Sequence, residues 1–273
     1  MVTRFIQALG LALALASCSG GARPVPDHAN PPGHGTEAHT AAAPPEGGRS
    51  GGAREEAAIA LARILTGNDA FVREHGAEYF APFEDQQHPR VTVVACADSR
   101  FHAQALEGDP DDDLFVVRNI GNQVDSSAGS VEYGVRHLHT PILLVVGHVG
   151  CGAVKAALDD YGDEPPSIRH ELDGLHLSLR RVMDEGRPFE ERWHDGVLEN
   201  VHRQVENAMK EYADLVRSGD LFVVGAVYDF RDEMKGGRGR LHIVGVNGSR
   251  DAERSDPSGL LEAARRLAGA PPR

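Results

Sequence analysis

Three side chains of this 273-residue sequence carry the donor types of a soft-metal site: Cys96, His148 and Cys151. Cys96 opens the run Cys96-Ala97-Asp98-Ser99-Arg100, and the other two share Gly147-His148-Val149-Gly150-Cys151-Gly152. Two thiolates and an imidazole suit Zn²⁺, which is borderline soft and takes tetrahedral sulfur and nitrogen ligands at roughly 2.0–2.3 Å. The spacing of His148 and Cys151 lets both point into one pocket. Three protein ligands leave a fourth position. Water there makes a catalytic site, and the Asp98 carboxylate there makes a closed one. Arg100, two residues beyond Asp98, can pair with it charge to charge and hold the carboxylate off the metal; the plainer alternative is a surface ion pair of little value. Spacing alone also leaves open a Cys96–Cys151 disulfide with His148 as an ordinary core histidine.

These residues need elements to bring them together. β-branched runs at Val91–Ala95, Leu114–Val117, Ile142–Val146 and Leu221–Val224 (continuing to Tyr228) have the length and composition of buried strands. Leu241–Val246 follows the loop Lys235–Gly239, which makes it an antiparallel neighbour of the fourth strand. Helical stretches are expected at Glu55–Leu65, broken by Thr66-Gly67-Asn68 before a second segment around Phe71. Others are expected at Ser127–Leu138, Ala153–Asp160, Ile168–Met183, Leu198–Val216 and Pro257–Ala268. Strands separated by helices predict an α/β fold: a mainly parallel central sheet of four strands plus an antiparallel edge strand, flanked by helices. Ligands of such sheets sit beyond the carboxyl ends of the strands, where Cys96 and His148 fall.

Composition narrows the function classes. A formal net charge of −13 argues against nucleic acid as a partner and against a polybasic membrane dock. The N-terminus has Arg4, an apolar stretch from Phe5 to Ala16, then Leu15-Ala16-Ser17-Cys18, the plan of a secretory signal over residues 1–17. The tetrapeptide resembles a bacterial lipoprotein signal, with Cys18 the lipidated first residue of the mature chain. Ser19 rather than Asp after it points to the periplasmic face of an outer membrane. Residues 18–52 have no apolar periodicity and much Gly, Pro and Ala, the composition of a flexible tether. Its His28, His34 and His39 read as solvated spacers. With Cys18 used as the anchor, Cys96 and Cys151 are the only other thiols of a chain bound for an oxidising compartment, and metal ligation keeps them from pairing. Residues 53–273 form the folded domain.

The ordered set of motifs resembles the β-class carbonic anhydrases from about Leu61 to Val246. It comprises Leu65-Thr-Gly-Asn68 with Phe71, Cys96-Ala-Asp-Ser-Arg100, Phe115-Val-Val-Arg-Asn-Ile-Gly-Asn122, Ser130-Val-Glu-Tyr133 and Gly147-His-Val-Gly-Cys-Gly-Ala-Val154. Asn200-Val201 with Gln204-Val205, and Gly225-Ala-Val-Tyr-Asp229, complete it. The resemblance implies one Zn²⁺ per subunit on Cys96, His148 and Cys151, and reversible hydration of CO₂ to bicarbonate by a zinc-bound hydroxide. It implies Asp98 and Arg100 as the orienting dyad, Gln87 and the Gly152 N–H as donors to substrate oxygen, and Phe115, Ile120 and Tyr133 as the apolar CO₂ pocket. It also implies a homodimer or higher oligomer. A bicarbonate-inhibited subgroup carries Trp where this chain has Val93, so the site is expected to rest open, with Asp98 off the metal. Two other readings keep the fold: action on COS or CS₂, and a periplasmic zinc-binding protein without catalysis. The acidic run Asp109–Asp113 reads as a solvated cap, and residues after Arg250 suggest no function.

Overall fold

Runs of Val, Leu and Ile become the strands of one five-stranded sheet. The structure is a computed structural model describing residues 50–184, 186–252 and 254–269. The signal peptide, Cys18 and the three tether histidines lie outside the described residues. The chain divides into two compact units, 1–66 and 67–273. The first is described only from residue 50, along helix α1 (Ser50–Glu74). α1 runs unbroken through Thr66-Gly67-Asn68, which corrects the expected interruption. A solvent-facing glycine inside a helix costs only about 0.5–1 kcal/mol, too little to stop one of this length. Ile59, Leu61, Ile64 and Leu65 on α1 are exposed.

In the second unit, α2 (Ala77–Phe80) precedes β1 (Val91–Cys96) and β2 (Leu114–Asn119). Next come α3 (Ala128–Glu132), a π-helical turn at Tyr133–His137, and β3 (Ile142–His148). α4 (Gly152–Ala157), α5 (Pro166–Ser178), α6 (Phe189–Glu211) and α7 (Ala213–Ser218) follow, then β4 (Phe222–Asp229), β5 (Arg240–Val246) and α8 (Leu260–Ala268). The strand order is β2-β1-β3-β4-β5. The first four strands are parallel and β5 is antiparallel to β4, as the sequence predicts. The expected helix at Ser127–Leu138 splits into α3 and the π turn. That at Leu198–Val216 instead begins at Phe189, just after Pro188, with Glu190 and Glu191 in its first turn.

Alternation along β1 puts Val94 and Cys96 in the main core and Val93 and Ala95 in a smaller cluster with Phe101 and Val146 on the other face. α6 lies against β3 and β4 where glycines admit it. A Cβ on Gly147 would meet Val201 at 2.5 Å, and one on Gly225 would meet Val201 and Val205 at 3.0 Å. The parallel strands therefore end together, at Cys96, Asn119, His148 and Asp229, beside the first turn of α4 and the middle of α6.

Candidate active site

Cys96 closes β1, His148 closes β3, and Cys151 precedes α4 after a turn at Gly150 (φ +64°). All three side chains are buried, and one donor atom from each lies within 4.8 Å of the other two. Tetrahedral zinc with bonds of about 2.3 Å requires donors roughly 3.8 Å apart, so the trio is of the right size. The sulfurs are not joined, which removes the disulfide alternative. His148 Nδ1 donates to the Val149 carbonyl at 3.1 Å, and its Nε2 is buried with no hydrogen-bond partner. An imidazole fixed at one nitrogen and bare at the other is what a metal ligand needs.

The sulfurs sit among donors. The Cys151 thiol donates to Cys96, aided by His148 and the backbone N–H groups of Gly121 and Asp98, and this holds the Cys96 thiol far below its usual range. Cys151, which gives that hydrogen bond and is deeply buried, is pushed well above. The N–H groups of Val154 and Ala153 serve Cys151 in turn. Such a cradle favours a divalent cation in place of the shared proton.

Asp98 stands at the rim, its Oδ2 3.8 Å from His148 Nε2. Arg100 holds it in a bidentate grip, Nε to Oδ1 at 2.8 Å and Nη2 to Oδ2 at 2.6 Å, while the Arg100 backbone N–H reaches Oδ1 at 2.9 Å. Arg100 thus keeps the Asp98 carboxyl well below the usual carboxylate range. Its Nη2 also donates to the Gly150 carbonyl at 3.1 Å, tying the Cys96 loop to the Cys151 loop. Its guanidinium lies 4.8 Å over the Phe230 ring, which stacks 6.2 Å from His148.

Three residues that sequence reasoning passed over complete the frame. Arg118 donates to the carbonyls of Cys96 (3.0 Å) and Asp98 (2.6 Å). Trp193 Nε1 donates to the Cys151 carbonyl at 2.8 Å. Phe230 is the platform under Arg100. Arg118 and Phe230 carried a signal, since both lie within or just beyond strands that end at the site; Trp193 carried none.

The expected substrate residues divide. Gly152 opens α4, where first-turn N–H groups lack intrahelical acceptors, and it is exposed, with open space where a Cβ would stand. Ile120 follows β2 beside Gly121. Phe115 and Tyr133 pack together with rings 5.8 Å apart, but Phe115 pairs with Thr92. Thr92 lies four residues upstream of Cys96 on β1, about 13 Å at the rise of a strand. Gln87 is exposed further upstream, next to His88, whose N–H is held by Asp112 before β2. Within one chain, Gln87, Phe115 and Tyr133 are not brought to the thiols.

A family model described as carbonic anhydrase matches residues 91–236, more than half of the chain and every residue of the cluster. The chain belongs to the carbonic anhydrase family. A carbonic anhydrase of Mycolicibacterium smegmatis is 30% identical over 192 residues, covering 67% of this chain and 93% of that one. The solved β-carbonic anhydrase of Coccomyxa, in complex with acetazolamide, is 26% identical with a TM-score of 0.60, covering 77% of this chain and 99% of that chain. A tetrameric β-carbonic anhydrase of Sordaria macrospora, 24% identical with a TM-score of 0.54 over 70% of this chain and 97% of that one, shares the fold. This member of the β class is therefore an enzyme by family, with a Cys-His-Cys cluster able to hold a metal.

Proposed function

We propose that the protein is a zinc-dependent carbonic anhydrase catalysing the reversible hydration of CO₂ to bicarbonate and a proton, with Asp98 and Arg100 as its orienting dyad. The observation that carries this reading is the bidentate Asp98–Arg100 pair at the rim of the Cys96-His148-Cys151 trio. A storage site has no use for it. Cys96, His148 and Cys151 would hold the zinc, which would supply Lewis acidity able to lower the pKa of a water to about 7.

The chain's own residues do the rest. Asp98, kept ionised by Arg100, accepts the hydrogen bond of the nucleophile and turns its lone pair toward carbon. Arg100, by holding both carboxylate oxygens of Asp98, would keep that carboxylate turned away from a metal on the trio. The Gly152 N–H donates to a substrate oxygen, and Ile120 offers apolar surface. Because CO₂ is small and apolar, little binding energy is available, and rate comes from positioning. In this reading a second copy of the chain supplies Gln87, Phe115 and Tyr133, and the protein works as a dimer or larger assembly. It is exported, lipidated at Cys18 and held at the periplasmic face of the outer membrane, a reading supported by residues 1–19 alone.

Stopped-flow CO₂ hydration with zinc analysis tests the mechanism. Wild type is expected to be active with one zinc per chain. Asp98→Ala is expected to keep the zinc and lose about 10²-fold or more in kcat, since misplacing the nucleophile alone costs that much. A zinc-loaded but idle wild type would favour the storage reading instead.

A further inference from the structure

Asn200 and Gln204, one turn apart on α6, have no part in the mechanism above, yet both are buried, 1% and 2% exposed. Burying an amide is costly unless its atoms find partners, so the destinations of their hydrogen bonds are informative. Gln204 Oε1 accepts the backbone N–H of Val124 at 2.9 Å, and Gln204 Nε2 donates to Asn200 Oδ1 at 3.2 Å. Asn200 Nδ2 donates to the Gly121 carbonyl at 2.9 Å and reaches Asn122 Oδ1 at 3.4 Å. Helix α6 therefore grips the loop after β2 from Gly121 to Val124.

That loop needs holding. Gly121 and Asn122 are consecutive left-handed residues, with φ of +76° and +49°, and such a conformation in a non-glycine persists only when its surroundings impose it. The loop also touches the metal site: Cys96 pairs in register with Asn119 at the end of β2, two residues before Gly121, and the Gly121 N–H faces the Cys96 sulfur as a donor. We propose that Asn200, braced by Gln204, is a positioning residue of the metal centre: by fixing the Gly121 turn it keeps the Gly121 N–H on Cys96 and tunes how firmly that sulfur holds zinc. Outer-shell partners of this kind commonly set metal affinity within a factor of about 10–100. The proposal rests on the reading of Cys96 as a zinc ligand.

The experiment compares zinc loss to a chelator, and the thiolate-to-metal band of the cobalt-substituted protein, in full-length wild type, Asn200→Leu and Val205→Ala. Val205 is the buried neighbour on α6 that faces Gly225 of β4, so its truncation weakens packing without touching the loop. At a temperature where both variants are fully folded, Asn200→Leu is expected to lose zinc about 10–100-fold faster and to shift the cobalt band. Val205→Ala is expected to do neither. If Asn200→Leu does not fold, Asn200→Asp removes the same donor while keeping size and the oxygen that Gln204 needs. Equal zinc loss and equal spectra in the two kinds of variant overturn the proposal alone. A wild type without stoichiometric zinc overturns the metal reading, and the proposal with it.

Discussion

Arg100 shows how one side chain joins pieces of sequence that lie far apart. Its guanidinium grips Asp98, caps the Gly150 carbonyl and rests on Phe230, so three of the loops at the sheet edge meet at one planar cation. Only the first contact was legible beforehand, because Asp98 and Arg100 are two residues apart and the other partners come from β3 and β4. Cys96, His148 and Cys151 were legible for a different reason: few residue types bind soft metals, and their positions at strand ends limit where they can meet. Tyr212, at the end of α6, illustrates a residue whose burial has a measurable consequence. It is 1% exposed, and burial, with Glu211 and Glu132 nearby, pushes its phenol up to about 12. The unfolded chain, with a phenol near 10, releases the proton first, so the contribution is intact below pH 10 and drains away as pH rises toward 12. Urea unfolding between pH 8 and 11.5 is expected to show wild type losing stability above pH 10 by up to about 1.4 kcal/mol per pH unit more than Tyr212→Phe. Parallel curves for the two would show that the phenol is not buried as described.

Among the elements, strands were read to within a residue or two because β-branched runs bounded by polar turns have few other uses. Helices were read less well where tertiary contacts override local pattern. The start of α6 was missed because Glu190–Asp195 is mostly charged and aromatic. Trp193 belongs in the helix because its indole reaches the Cys151 carbonyl, a contact invisible along the chain. The π turn at Tyr133–His137 has a similar origin. A Cβ on Gly134 would lie 2.2 Å from Thr92 Oγ1 and 2.9 Å from Phe115, so this glycine exists to let the turn press against β1 and β2. Gly67, by contrast, has nothing within 4 Å of where a Cβ would stand. Two substitutions of the same chemistry should therefore have opposite signs. Gly67→Ala is expected to stabilise α1 by about 0.5–1 kcal/mol, as removing backbone freedom from a helix does. Gly134→Ala is expected to destabilise by about 1–3 kcal/mol, the usual cost of overpacking. Chemical denaturation of both variants checks the pair, and a stabilising Gly134→Ala would mean that β1 does not meet this turn.

For the whole molecule, the sheet geometry places three of the five expected substrate residues at the other end of β1 from the thiols, so one chain holds only part of what the proposed mechanism needs. Gln87, Phe115 and Tyr133 lie upstream, while Asp98, Ile120 and Gly152 gather around the cluster. A twofold assembly, as proposed above, would resolve this, because a symmetric interface can carry one end of each subunit to the other end of its partner. The consequence is a complementation test. Cys96→Ser removes a proposed ligand but leaves Gln87 in place, and Gln87→Ala does the reverse. If each site draws Gln87 from a second copy, a mixed dimer of the two variants contains one complete site and one doubly damaged site. Random pairing of equal amounts then restores about a quarter of wild-type CO₂ hydration, although each variant alone is nearly inactive. If a single chain furnishes both groups, no pairing regains activity, since every site lacks either a sulfur or the amide. Co-expressing the variants with different tags, purifying the mixed species and assaying it by stopped flow separates the two cases. Size-exclusion chromatography with light scattering on the same sample shows whether the assembly that carries the activity is a dimer or something larger.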